Sequence, residues 1–141
     1  MRTAVTSTNT DVVERLLDHL SVHDIAAATA LFTRDAELVA PFAPPPLPPG
    51  GSGREQIGTL FVAIFDAYGR VAFTHRRIVA TADPDVVVGR WRTHIEVLAS
   101  GATYAAEVIA VIELRDGRIA RFTEYFNPDA LRAAGVLPIA A

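Results

Sequence analysis

The chain of 141 residues contains no cysteine, which excludes disulfides, thiolate nucleophiles and thiolate metal sites. That is compatible with a reducing compartment, and a cytoplasmic location is the expectation. No apolar run approaches the ~20 residues that a membrane-spanning helix needs, and the opening MRTAVTSTNT lacks the hydrophobic segment of a signal peptide. No membrane attachment is expected. Basic charge is in deficit too, with 13 basic residues against 16 acidic ones and a net charge of -3. The arginines are scattered among acids, which speaks against a nucleic-acid partner, because phosphate binding needs clustered cations.

Motifs are as scarce as cysteine. His19, His23, His75 and His94 are neither paired at helical ligand spacing nor joined to an HExxH phrase, so no metal is implied. Gly50-Gly51-Ser52-Gly53 lacks a following Gly-Lys-Ser or Gly-Lys-Thr and reads as a flexible connector ahead of a helix cap. No GxSxG is present, and Ser7, Ser21, Ser52 and Ser100 read as tail, cap or turn. No cofactor is implied.

Half of the residues are hydrophobic and 21% are charged, the balance of a globular chain. Residues 1–141 read as one domain, able to bury roughly 70% of its unfolded surface, with residues 1–10 as a flexible tail. Three helical stretches precede most of the strands. The first, near Asp11 to Leu20, carries Val12, Leu16 and Leu20 beside Val13 and Leu17, with Asp11 and Glu14 at capping-box spacing. The second opens at Ser21 and Asp24. The third is capped by Ser52 and Glu55 and has Ile57, Leu60, Phe61, Ile64, Phe65 and Tyr68 as an apolar stripe that stops at Gly69.

Strands are expected over Ala36 to Ala40, Val71 to Ala80, Asp85 to Leu98, Thr103 to Leu114 and Arg118 to Phe126. Turn signals at Asp83-Pro84-Asp85, Ser100-Gly101 and Asp116-Gly117 make them antiparallel neighbours. The longest would span roughly 40 Å and must curl around the helices. Val87, Gly89, Trp91, Thr93, Ile95 and Val97 form the apolar face of the third strand. The run PFAPPPLPPGGSG from Pro41 to Gly53 reads as a semi-rigid loop over one end of the core.

In the last strand Ala120, Phe122, Glu124 and Phe126 point one way, while Ile119, Arg121, Thr123 and Tyr125 point the other. A carboxylate among aromatic rings loses hydration, so its charged form is disfavoured and its pKa rises toward neutrality, as a general acid or base requires. The competing reading is a frayed strand end with Glu124 leaning toward Arg118 or Arg121. A two-residue Asp116-Gly117 turn would set Glu107, Ile109, Val111 and Glu113 on the face of Glu124. A three-residue loop with Gly117 in a bulge would set Leu114 opposite Arg118 and put Ala106, Val108, Ala110 and Ile112 there. The second is preferred because it joins two apolar faces. His75 shares a strand face with Phe73 and Val79, and also with Arg77; it is the second candidate for acid/base work.

Helices first, then a long curled antiparallel sheet ending in RDGRIARFTEYFNP, resembles the nuclear transport factor 2-like superfamily, which holds ketosteroid isomerase and the SnoaL-like polyketide cyclases. DIAAATALFTRDAELVAPF and GREQIGTLF resemble that superfamily's second helix, first strand and third helix. From Tyr104 through Ile112-Glu113-Leu114, Asp116-Gly117, Ile119, Arg121, Glu124, Asn127 and Pro128 the chain is similar to the PhzA/PhzB-like branch, whose acid/base glutamate precedes Asn-Pro and matches Glu124. The resemblance implies an α+β, cone-shaped fold with three N-terminal helices packed in the sheet, and a homodimer. It also departs from its relatives. The base of ketosteroid isomerase falls in a phrase that is Val39-Ala40-Pro41 here, its tyrosine near Leu16 and its aspartate near Ala110. Polar residues of the phenazine branch match Ala106 and Ala110.

The expected function is cofactor-free proton transfer, as in an isomerase, dehydratase, cyclase or epoxide-opening enzyme, on a small apolar intermediate of secondary metabolism. Glu124 and His75 are the expected catalytic residues, and Trp91, Phe122, Phe126, Val108, Ala110 and Tyr68 the substrate-binding ones. The alternatives are a small-molecule-binding protein without turnover and a structural dimer built on Arg90, Arg92, Glu107, Glu113, Arg121 and Tyr125 of the outer sheet face.

Overall fold

The computed structural model describes residues 3–45, 47 and 49–133. Its elements are α1 (Thr3–Ser21), α2 (Ile25–Thr29), β1 (Phe32–Val39), β2 (Gly50–Ser52), α3 (Arg54–Phe65), β3 (Tyr68–Ala80), β4 (Val86–Val97), β5 (Thr103–Arg115), β6 (Arg118–Phe126) and α4 (Pro128–Ala133). The α1 helix exists because Val12, Val13, Leu16, Leu17 and Leu20 recur at helical spacing, and all five are buried. It starts at Thr3, inside the segment expected as a tail, since neither proline nor glycine interrupts residues 3–21. Asp11 therefore lies within the helix and is not its cap. Asp24 does cap α2, its carboxylate accepting from the Ala27 N–H at 3.1 Å.

One six-stranded sheet runs in the order β2-β1-β6-β5-β4-β3, antiparallel throughout except for the parallel β1–β6 pair. The glycine-rich connector is itself a strand: β2 pairs with β1, Leu38 opposite Gly51. At Gly50 any side chain would run into the Leu38 carbonyl, so glycine alone fits there. Because Ser52 belongs to β2, Gly53 takes the N-cap position of α3 without a side-chain cap bond. The Gln56 carboxamide reaches back instead to accept from the Ser52 N–H at 2.6 Å. Helix α3 ends at Phe65, and Tyr68 opens β3; the stripe expected to continue to Tyr68 crosses a helix–strand junction.

The β5–β6 hairpin departs from expectation in its turn and agrees in its faces. Arg115 pairs with Arg118 across a two-residue turn in which Asp116 and Gly117 have φ of 53° and 78°, the signature of type I′. Leu114 then faces Ile119, but Glu113 faces Arg121, so Ala120 is an extra residue in a bulge. That bulge restores the apolar parity: Ile112, Ala110 and Val108 stand opposite Phe122, Glu124 and Phe126. It also brings Ile119 into the core at 0% exposure, where strict alternation had placed it outside.

Candidate functional site

Helices α1 and α3 do not close completely against the sheet. They leave a cavity of about 190 Å³, on the order of a dozen water-sized spheres and far beyond a packing defect. Leu16, Leu17 and Leu20 of α1, Phe61 and Phe65 of α3, and Ala43 and Leu47 of the proline-rich segment form one side of it. Trp91, Val108, Phe122, Glu124 and Phe126 form the sheet side, the Trp91 and Phe122 rings 6.3 Å apart.

Glu124 lies between Phe122 and Phe126 on β6 with Ala110 directly across. It is half-buried, and it lines the cavity. Burial is what raises its pKa, to about 7, and among the described residues no basic group lines the cavity to stabilise the charged form. The carboxylate is therefore divided between acid and base at neutral pH. Tyr68 at the start of β3 and Tyr104 on β5 complete its polar surroundings. Burial raises the pKa of both phenols first, their mutual interaction bears on both, and the Glu124 charge adds to the rise. They remain neutral hydrogen-bond donors. Thr93 is the further polar side chain on the wall.

The structure thus brings Glu124, Trp91, Phe122, Phe126, Val108 and Tyr68 to one cavity, and it separates two of the expected residues from them. His75 is exposed. A register shift between Thr74 and Arg77 sets His75 and Arg76 against the single residue Trp91, which breaks the alternation that would have carried His75 inward with Phe73. His75 takes φ of 52° there, and its Nδ1 lies 3.1 Å from the Thr74 hydroxyl. Ala110 is at 0% exposure and packs in the core behind Glu124, so it does not line the cavity. Tyr104 was missed, though it shares strand parity with Ala106 and Val108. Phe73 and Leu47 also line the wall; the sequence carries no local signal that a loop leucine returns to the core. Among the described residues no group of three or more His, Asp or Glu side chains is placed to hold a metal ion.

A family model described as a SnoaL-like domain matches residues 13–122. Over 98 residues the chain is 33% identical to an uncharacterized PhzA/B-like protein of Pseudomonas aeruginosa, covering 70% of this chain and 69% of that one. Among solved structures, a Bacillus subtilis protein provisionally named an isomerase superposes with a TM-score of 0.86 at 24% identity, covering 94% of this chain and 95% of that one. A phenazine biosynthesis-related protein of Pseudomonas aeruginosa superposes with a TM-score of 0.80 at 18% identity, covering 99% and 92%. These likenesses agree with the α+β architecture of four helices on a curled sheet. The chain belongs to the SnoaL-like family of the nuclear transport factor 2-like superfamily.

Proposed function

We propose that this protein is an acid/base enzyme that moves a proton on a small, largely apolar molecule, with Glu124 as the catalytic residue. The observation that carries the reading is one carboxylate, with a pKa of about 7, on the wall of a cavity made mostly of aromatic and aliphatic side chains, with Thr93 and the phenols of Tyr68 and Tyr104 as its other polar groups. In its ionised form Glu124 takes a proton from a carbon next to a carbonyl. The electron pair moves toward the oxygen, and the proton returns to a different atom, which is an isomerisation that requires no co-reactant. Dehydration, epoxide opening and ring closure use the same group as acid, base or both. The names of the relatives, one provisionally an isomerase and one phenazine biosynthesis-related, support chemistry of this kind.

One positioned acid/base contributes roughly 10² to 10⁴ in rate, about 3 to 5 kcal/mol. That suffices for a step already facile and not for hydrolysing an inert bond, so orientation in the cavity must supply the remainder. Deuterium exchange next to the carbonyl of small cyclic ketones, followed by NMR in D₂O, tests the reading. Wild type should accelerate exchange, more so as pH rises toward 7 and beyond, and the folded Glu124→Gln variant should not. Equal rates in the two proteins would falsify the catalytic role. A second reading, binding without turnover, is favoured by the alanines Ala106 and Ala110 near the carboxylate. It predicts ketone binding with no exchange.

A further inference from the structure

Glu124 is the one residue of the cavity wall that carries a charge in its ordinary form, and neither arginine nor histidine faces it among the described residues. Three arginines of the surrounding strands are engaged elsewhere. Arg121, on the opposite face of β6, pairs with Glu37 at 2.7 Å, and Arg92 with Glu107 at 3.3 Å. Arg76 is held by Glu14 at 3.0 Å and Asp18 at 2.8 Å. The carboxylate oxygens accept no hydrogen bond from a described residue. Every structural element around the cavity repeats the pattern: α1 offers leucines, α3 phenylalanine, leucine and isoleucine, β4 Trp91, Thr93 and Ile95, and α4 Leu131. The titratable groups that face Glu124 are the phenols of Tyr68 and Tyr104, which stay neutral over the working pH range.

Two consequences follow from charge and surface. An anionic guest would meet a carboxylate and no cation, so anions are disfavoured. A compact cation with an apolar body would meet a carboxylate at short range in a low dielectric and, around it, the rings of Trp91, Phe73, Phe122 and Phe126, whose π faces attract positive charge.

We propose that the cavity selects small apolar amines, bound as their ammonium ions against Glu124, over neutral and anionic molecules of the same shape. The inference rests on Glu124 being the cavity acid of the function proposed above, but it does not require turnover. Because free Glu124 titrates at about 7, an ammonium ion that binds below that pH must displace a proton. Affinity then falls about tenfold per pH unit on the acid side and levels off above it.

Isothermal titration of the whole chain with cyclohexylmethylamine, cyclohexylmethanol and cyclohexanecarboxylate tests the proposal, since the three share a shape and differ in charge. At pH 8.5 the amine should bind at least tenfold tighter than the alcohol, and the carboxylate weakest. Between pH 8.5 and 5.5 the amine should lose about thirtyfold in affinity while the alcohol loses little. Glu124→Gln should abolish the preference, and Glu124→Asp should retain it. If the Gln variant does not fold, the pH dependence of the wild type decides alone. An alcohol that binds as tightly as the amine at pH 8.5, no amine binding at millimolar concentration, or a preference that survives in Glu124→Gln overturns the proposal. The ketone exchange experiment is independent of these outcomes, so the proposed function can stand while cation selection fails.

Discussion

Ala110 stands directly opposite Glu124 on the neighbouring strand, and a methyl group is all it offers to a carboxylate that has lost much of its water. Cross-strand neighbours of this kind lie about 5 Å apart at Cβ, within reach of a side-chain hydroxyl. Ala110→Ser should donate a hydrogen bond to the ionised form and bring the Glu124 pKa down from about 7 by about one pH unit. Carboxyl ¹³C NMR titration measures this directly. An unchanged midpoint would show that the pair does not communicate.

The same carboxylate makes stability depend on pH. The folded pKa of Glu124 is about 7 against an ordinary value of 4.5, so the folded state binds the proton more tightly than the unfolded one. Stability is therefore undiminished below pH 4.5, declines as pH rises from there, and carries the full penalty above pH 7, at most roughly 3 kcal/mol. Glu124→Gln removes that slope. Urea unfolding across this range should find the variant more stable than wild type at pH 8.5 and similar near pH 4.5, whereas parallel pH profiles would contradict the assignment.

Gly89 leaves room for the indole of Trp91. A Cβ at position 89 would lie 2.6 Å from Cζ3 of Trp91 and 3.2 Å from Cδ1 of Ile78, so Gly89→Ala must displace the ring, which lines the cavity. The expected cost is about 1 to 3 kcal/mol. Tryptophan fluorescence reports the displacement specifically, because the chain holds one tryptophan.

Arg76 ties α1 to the bulge of β3. Its guanidinium meets Glu14 and Asp18 and donates from Nε to the Phe73 carbonyl at 2.9 Å, next to a ring on the cavity wall. Arg76→Met keeps the aliphatic stem and loses the polar contacts, which should cost about 1 to 2 kcal/mol and depend on salt, as charge-assisted bonds to half-exposed acids do. A loss that does not shrink in 1 M salt would point to packing instead.

His75 offers a negative test. It lies outside the cavity, and asparagine tolerates the positive φ there, so His75→Asn should leave ligand affinity and ketone exchange within about twofold. A tenfold loss of exchange would restore a catalytic role to the histidine.

Most of the candidate site was legible in strand alternation. The Phe122, Glu124, Phe126 and Trp91, Thr93, Ile95 patterns are local, because side chains two residues apart share a sheet face whatever the rest of the fold does. Alternation failed at two places, and both are bulges. The extra residue at Ala120 turned Ile119 inward, and the irregularity at His75 and Arg76 turned His75 outward. A bulge is set by how two strands share hydrogen bonds and by what packs on them, which no short window contains. The hairpin shows the same division: Asp116-Gly117 specified a type I′ turn, while the burial of Phe122 and Ile112 specified the parity, and the bulge reconciled them.

By itself, then, the amino-acid order determined the apolar stripes of α1 and α3, the four long strands β3 to β6, the family and the greasy surroundings of one acid, since each depends on neighbours near in the chain; β2 and α4 were not legible in it. The tertiary structure alone decided that α1 and α3 stop short of filling the sheet's concave face, that Tyr104 and Leu47 reach the resulting space, and that no cation of the described residues follows Glu124 into it. Those are outcomes of packing between segments far apart in the chain, where shape and volume are settled jointly by all the contacting side chains.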